Sequence, residues 1–329
     1  MKQKNNRFNI SSPARACAAA LLALATVAFT GCGKNDDALP QPDNGELKII
    51  ATIAASPDAD VLPAGRSAGT RATLNPDGSG TFATGEVFTL RVTGSKSFPL
   101  TTSYTIGTTV LRWDDFASVG NESTLTFSGY YPENAGVDNN KEFNLLRATN
   151  PDLLVAPPVT VARGGTVCLA FRHVMHRLVV NLSGNALTAD ELSGATVQLS
   201  YNLCSKALID FTNATAFTTT THYTYPSENP PTQTGASTTF ILVPQDLESF
   251  SGKITITAGG QELTYTFPAT LPGATAFDPP RRLQSGRTLT LNLAINTGSA
   301  AAFASPSTRA TATDDALMLE CVGIDVSGW

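Results

Sequence analysis

The sequence has few cysteines, few charges and no long helical pattern. Of five cysteines, Cys17 lies in the N-terminal apolar run and Cys32 just after it, which leaves Cys168, Cys204 and Cys321. Three cysteines allow at most one disulfide among themselves, so the fold cannot depend on a disulfide framework. Each reads more simply as a small buried hydrophobe. Charged residues make up 15% of the chain, against about 25% in ordinary globular proteins. With a net charge of −5, the balance argues against nucleic acid and against electrostatic attraction to anionic lipid. No stretch beyond the N-terminal run keeps a helical period over three turns.

Motifs of catalysis are missing as well. There is no C-x-x-C, H-E-x-x-H, G-x-S-x-G or G-K-[ST], and so no nucleophile–base pair, zinc site or P-loop. Gly78–Ala83 matches a dinucleotide-binding pattern in letters only, because no helix follows to hold a pyrophosphate. The three histidines are His173, His176 and His222. His173 and His176 are three apart, which on a strand puts them on opposite faces, a poor arrangement for one metal. Asp114-Asp115 and Asp314-Asp315 read as solvated turns. Trp113 and Tyr130-Tyr131 read as core or cross-strand aromatics rather than a sugar platform. The expectation is no enzyme, no metal and no cofactor.

What is present begins with a secretory layout. Lys2, Lys4, Arg7 and Arg15 precede Ala16–Phe29, a run of 14 residues apolar except for Thr26, and Thr30-Gly31-Cys32 closes it. A basic start, a short apolar run and a small-residue exit mark a signal segment, too short to span a bilayer as a helix. Cysteine directly after the small residue resembles the bacterial lipobox, although Phe29 departs from the usual Leu. The resemblance implies acylation of Cys32, an anchor in the outer membrane and export of all that follows. The residues after the signal number 18 basic and 27 acidic, a net charge of −9. Residues 32–45, with two prolines and three aspartates, read as an extended tether.

Thereafter short alternating segments follow one another. Glu46–Ile53 reads as a strand with Leu47, Ile49, Ala51 and Ile53 on one face. Residues 58–80 lose all period and form a loop that carries Arg66 and Arg71. Strands are expected at Phe88–Val92, Tyr104–Ile106, Val110–Trp113 and Leu125–Phe127. In Gly164–Ser183 the larger apolar residues change from odd (Val167, Leu169, Phe171) to even positions (Leu178, Val180, Leu182). A strand keeps one parity, so two strands meet within His173–His176, and a domain boundary is expected there. Val197–Leu203, Phe240–Val243 and a hairpin across Gly259-Gly260 follow, then Leu289–Ile295. Thr212–Ser237 reads as loop, Gly298–Asp315 as a flexible linker, and Leu317–Trp329 as a last strand. Its apolar parity changes near Cys321-Val322, which calls for a bulge or two short strands. The domains expected are 1–31 (signal), 32–45 (tether), 46–175 (first β-sandwich) and 176–329 (second, with linker and terminal strand). The fold class expected is all-β.

Seven stretches resemble the fimbrillin family of pilus subunits and surface lipoproteins. They are Thr70-Arg71-Ala72, Phe127–Pro132, Asp152–Ala156, Val167–Leu182 with its Phe171-x-His173, Ile241–Gln245, Leu283–Arg287 and the closing Ile324-x-Val326-x-x-Trp329. The resemblance implies two transthyretin-like β-sandwiches in tandem. It implies a structural pilin whose partners are other fimbrial subunits, joined by β-strand addition. In that reading an arginine-specific protease cuts after Arg71 or Arg66 and removes the first strand. The donor strand then carries Val322, Ile324, Val326 and Trp329. The alternative is a non-polymerising tip, anchor or surface adhesin lipoprotein that binds a glycan, a host protein or another bacterial surface ligand. Thr308-Arg309-Ala310-Thr311 repeats Thr70-Arg71-Ala72-Thr73 and offers the same protease a second site.

Overall fold

The computed structural model describes residues 45–55, 73–75, 79–120, 122–133, 136–138, 141–148, 150–218, 223–247, 251–272, 281–297 and 317–329. In chain order it has β1 (Glu46–Ile53), β2 (Thr73–Leu74), β3 (Gly80–Thr81), β4 (Val87–Thr93), β5 (Leu100–Thr105) and β6 (Leu111–Arg112). A 3-10 helix over Trp113–Val119 leads to β7 (Thr124–Tyr131), β8 (Val137–Asp138), β9 (Glu142–Asn144), β10 (Leu154–Ala162) and β11 (Thr166–His173). Then come β12 (His176–Ser183), α1 (Ala189–Ser193), β13 (Thr196–Leu199), β14 (Lys206–Asp210), β15 (Thr215–Thr218), β16 (Thr232–Thr234) and β17 (Ser237–Leu242). The chain continues with β18 (Gln245–Asp246), β19 (Lys253–Ala258), β20 (Gln261–Thr266), β21 (Arg282–Leu283), β22 (Arg287–Thr297) and β23 (Leu317–Gly328). The fold is an all-β sandwich, as the spacing of short apolar runs predicts.

One sheet in the order β2-β3-β1-β11-β10-β7-β4-β5 builds the first core. Phe88, Leu90, Phe127, Leu154, Val167, Leu169 and Phe171 point inward from β4, β7, β10 and β11, each almost fully buried. β1 runs parallel to β11, from Lys48 opposite Thr166 to Ile53 opposite Phe171. Leu47 and Ile53 enter this core, while Glu46, Lys48, Ile50 and Thr52 face out. Pro157 and Pro158 in β10 donate no hydrogen bond, and the ladder with β7 gains an extra residue between Ala156 and Val159. The expected strand at Val110–Trp113 shrinks to Leu111–Arg112, because Asp115 Oδ2 accepts from the Arg112 amide at 2.7 Å and turns the chain into the 3-10 helix.

Two four-stranded sheets, β17-β12-β22-β23 and β16-β13-β19-β20, face each other across the second core. Leu178, Val180, Val197, Phe240, Ile254, Ile256, Leu289, Leu291 and Leu293 fill it. The hairpin at Gly259-Gly260 is present, both glycines taking positive φ (56° and 74°) as a two-residue turn requires. The stretch Thr212–Ser237 is less irregular than its composition suggests, since β15 and β16 lie within it.

A third core joins the two. Val174 and Met175, between β11 and β12, are fully buried with Phe143, Leu153, Val155, Ala207, Val243 and Trp329. The sheet β15-β14-β9-β8 draws strands from before and after this point, Phe143 lying opposite Ala207. The change of parity read at His173–His176 is there, and the two residues that absorb it are held on all sides. Residues 43–329 form one compact unit.

His176, the first residue of β12, is buried at the same place, its Nδ1 3.0 Å from the Gln284 carbonyl oxygen. Burial disfavours the imidazolium and lowers the pKa to about 4, against a small opposing pull from that carbonyl. A folded pKa below the unfolded value of about 6.5 means that His176 adds stability above pH 6.5 and loses it as the pH falls towards 4. Denaturant melts at pH 7 and pH 4 should differ by up to roughly 3 kcal/mol from this group. His176→Gln should flatten that part of the profile. Phe171→Ala should cost about 3–5 kcal/mol in the same assay, because its ring meets Phe82 and Phe88 at centroid distances of 5.2 and 5.1 Å.

Candidate strand-exchange site

β1 and β23 are the two elements that the sequence marks as removable, and each has a single main partner. β1 leans on β11 along its length, with short pairings to β6 at Glu46–Leu47 and to β3 at Thr52–Ile53. β23 lies at the edge of its sheet and pairs antiparallel with β22 from Arg287–Gly328 to Thr297–Leu317. The register slips between Asn292–Gly323 and Leu293–Cys321, so Val322 is an inserted residue and the expected bulge is there.

The bulge changes the place of one candidate. Val322, read on one face with Ile324 and Val326, is 57% exposed instead. Its insertion removes it from the alternation, so Leu317 and Leu319 before it and Ile324 and Val326 after it all meet the second core. Trp329 is buried, with 7% of its surface exposed. Its indole stacks on His173 at 4.6 Å between centroids and 9° between planes. Its amide donates to the Gly286 carbonyl at 3.3 Å. Gly286 has φ 67°, and a Cβ there would lie 2.8 Å from the His173 carbonyl oxygen, so a larger residue is excluded.

His173 is set from behind. Its Nδ1 lies 2.8 Å from Asp152 Oδ1, both groups being buried, and the carboxylate accepts the bond. Its Nε2 is buried without a partner among the described residues. A buried polar pair is tolerable because its members bond each other. Trp329 covers the face of the imidazole. Beside the stack opens a cleft of about 220 Å³, lined among others by Ala54, Ala55, Arg172, Ser285 and Arg287. Ala54 and Ala55 directly follow β1, and the Ala54 amide donates to Phe171 O at 2.8 Å. The outgoing ends of β1 and β23 therefore meet at one cleft.

The remaining candidates fall elsewhere. Cys32, Arg66, Arg71, Arg309 and His222 lie outside the described residues. Cys204 is buried and Cys321 exposed, neither in a disulfide, and Cys168 is half-buried on β11. Asp114 pairs at the surface with Arg163 at 2.8 Å, and Trp113, Tyr130 and Tyr131 are core residues. Among the described residues no cluster of His, Cys, Asp and Glu could hold a metal, and no helix is long and apolar enough to cross a membrane. The cleft joins residues 54, 173, 286 and 329, which no local pattern connects. Only the histidine's neighbourhood to the parity change could have drawn attention to it.

Known proteins place this geometry in a family. The solved structure of a candidate cell adhesion protein from Bacteroides uniformis aligns over 88% of this chain and 100% of its own, at 16% identity and a TM-score of 0.53. One from Bacteroides ovatus aligns over 86% and 97%, at 15% identity and 0.48. A fimbrial protein from Bacteroides vulgatus aligns over 72% and 84%, at 13% identity and 0.36. The first of these shares the fold. No curated protein matches the chain. The profile of the fimbrillin-like family matches residues 116–311, which covers the sheet β7-β10-β11, the buried crossing at Val174-Met175 and most of the second core, and the chain belongs to that family.

Proposed function

We propose that this protein is a structural, non-enzymatic subunit of a surface fimbria, exported as a lipoprotein through Cys32 and assembled by strand exchange. The observation that carries the proposal is the position of β1. It contributes Leu47 and Ile53 to a core otherwise completed by later strands, and residues 56–72, with Arg66 and Arg71, separate it from them. Burial of each such side chain is worth about 1.5–3 kcal/mol. Trimming after Arg71 or Arg66 leaves an apolar groove along β11 with unpaired backbone groups, which is a template for another strand. β23 is the strand to fill it, being at a sheet edge, apolar on alternate residues and preceded by the Ala-, Ser- and Thr-rich residues 298–316. Its partners are then other subunits, and the outer membrane holds the assembly through acyl chains, each buried CH₂ adding about 0.8 kcal/mol.

A second reading has one observation in its favour. β23 is paired with β22 along its whole length and closed by Trp329, a state that suits a subunit which keeps its strand. That subunit is a non-polymerising tip, anchor or surface adhesin that binds a glycan or host protein.

Cys32→Ala should move the protein from the membrane fraction to the soluble extracellular fraction. A variant that stays membrane-bound excludes the lipid anchor. Deletion of Leu317–Trp329 should leave export intact and abolish fibre growth, as counted by electron microscopy. Normal fibres from the deleted chain remove β23 as donor, and the mass of the fibre subunit tells whether Arg66 or Arg71 has been cut.

A further inference from the structure

We infer that an incoming β23 lies parallel to β11 in the place of β1, with Val322 where Leu47 was and Trp329 delivered to the cleft at His173 of the receiving subunit. The inference rests on the strand-exchange reading and fixes its register and polarity.

The two strands match residue for residue in one alignment. Val322, Ile324, Val326 and Gly328 fall on Leu47, Ile49, Ala51 and Ile53, the four inward positions of β1. Gly323, Asp325 and Ser327 fall on Lys48, Ile50 and Thr52, the outward ones. Polar residues and glycine thus face solvent and branched apolar residues face the core, as an inserted half-buried strand requires. The bulge at Val322 belongs to the pairing with β22. A strand that leaves β22 is free of that slip, and Val322 returns to the face of Ile324 and Val326.

The same alignment puts Trp329 on Ala54, which lines the cleft beside His173. This position matters because the receiving subunit, once it has passed its own β23 onward, has lost its own Trp329. The buried His173–Asp152 pair is then uncovered, and the imidazole face on which an indole lay is open. The neighbour's Trp329 restores that cover. Gly328 leaves the Ile53 site without a side chain, so the fit at this end of the groove rests on the indole next to it. The cleft is in effect a single socket, held by the subunit's own tryptophan before assembly and by its neighbour's afterwards. An antiparallel strand would bring Val326 to Leu47 and carry Trp329 away from His173, leaving the imidazole face without its stacked indole.

Paired cysteines in full-length protein, in a Cys168→Ser and Cys321→Ser background (Cys168 lies opposite Ile50, the place that Asp325 takes), read the register. In β1, Thr52 lies opposite Ala170 and Lys48 opposite Thr166. Ser327→Cys with Ala170→Cys should give a ladder of covalent multimers from oxidised fibres on a non-reducing gel, as should Gly323→Cys with Thr166→Cys. Asp325→Cys with Thr166→Cys should give none. A ladder from this last pair, with none from the first two, overturns the parallel register and leaves strand exchange standing. Fibres without a ladder from any pair overturn the inference as well, and the absence of fibres from the unmutated chain overturns both it and the reading beneath it. Circular dichroism of the monomers separates a misfolded variant from a wrong register, since either of the first two pairs suffices.

Discussion

Everything in this molecule depends on the burial of Val174 and Met175. These two residues carry the chain from β11, whose odd positions face the first core, to β12, whose even positions face the second. A strand cannot change face without a break in its alternation. Here the break is not left to a solvated turn. It is wrapped by Phe143 and Leu153 from one side of the sequence and by Ala207 and Val243 from the other. The backbone of the crossing is satisfied locally, the Val174 amide by Leu153 O and the Met175 carbonyl by the Gly286 amide. The Ser285 hydroxyl donates to the Val174 carbonyl at 2.7 Å. The two sheets on either side are thereby fixed to one another, and the strand ends that converge on the crossing gain a shared address.

The polar groups at that address are selected by the same constraint. His173 and His176 flank the buried pair and cannot reach bulk water, so each is matched to an acceptor, Asp152 for the one and Gln284 O for the other. Neither is arranged for a metal or for proton transfer to a substrate. They spend their hydrogen bonds on internal order, and the stacking of Trp329 on His173 adds the flat apolar face that such a site needs.

Much of the fold was legible because the strands facing the cores alternate strictly. β1, β4, β11, β12, β19 and β22 carry their signal in every second residue, and even the slip in β23 shows as a change of parity. β10 was not read, because Pro157-Pro158 interrupts both the pattern and the ladder. β14–β16 and β8–β9 were not read, being two to five residues long, with polar residues in more than half the places. The 3-10 helix escaped because its capping by Asp115 is a matter of one hydrogen bond, not of period. The candidate site was half legible. Its strands stood out, whereas its socket brings together residues 54, 152, 173, 286 and 329, and no spacing rule reaches across such distances. Val322 turns outward in the resting chain because it is itself the inserted residue of the bulge expected at Cys321-Val322.

The bulge has a bearing on life outside the cell. An edge strand of twelve residues, flat and half apolar, would invite any unfolded chain it met to add a strand and precipitate. A bulge increases local twist and breaks the even row of donors and acceptors that such pairing needs, and outward charges repel it. In β23 the kink at Val322 sits between Glu320 and Asp325, both exposed. A strand with this shape is a poor mate for chance partners at its free side.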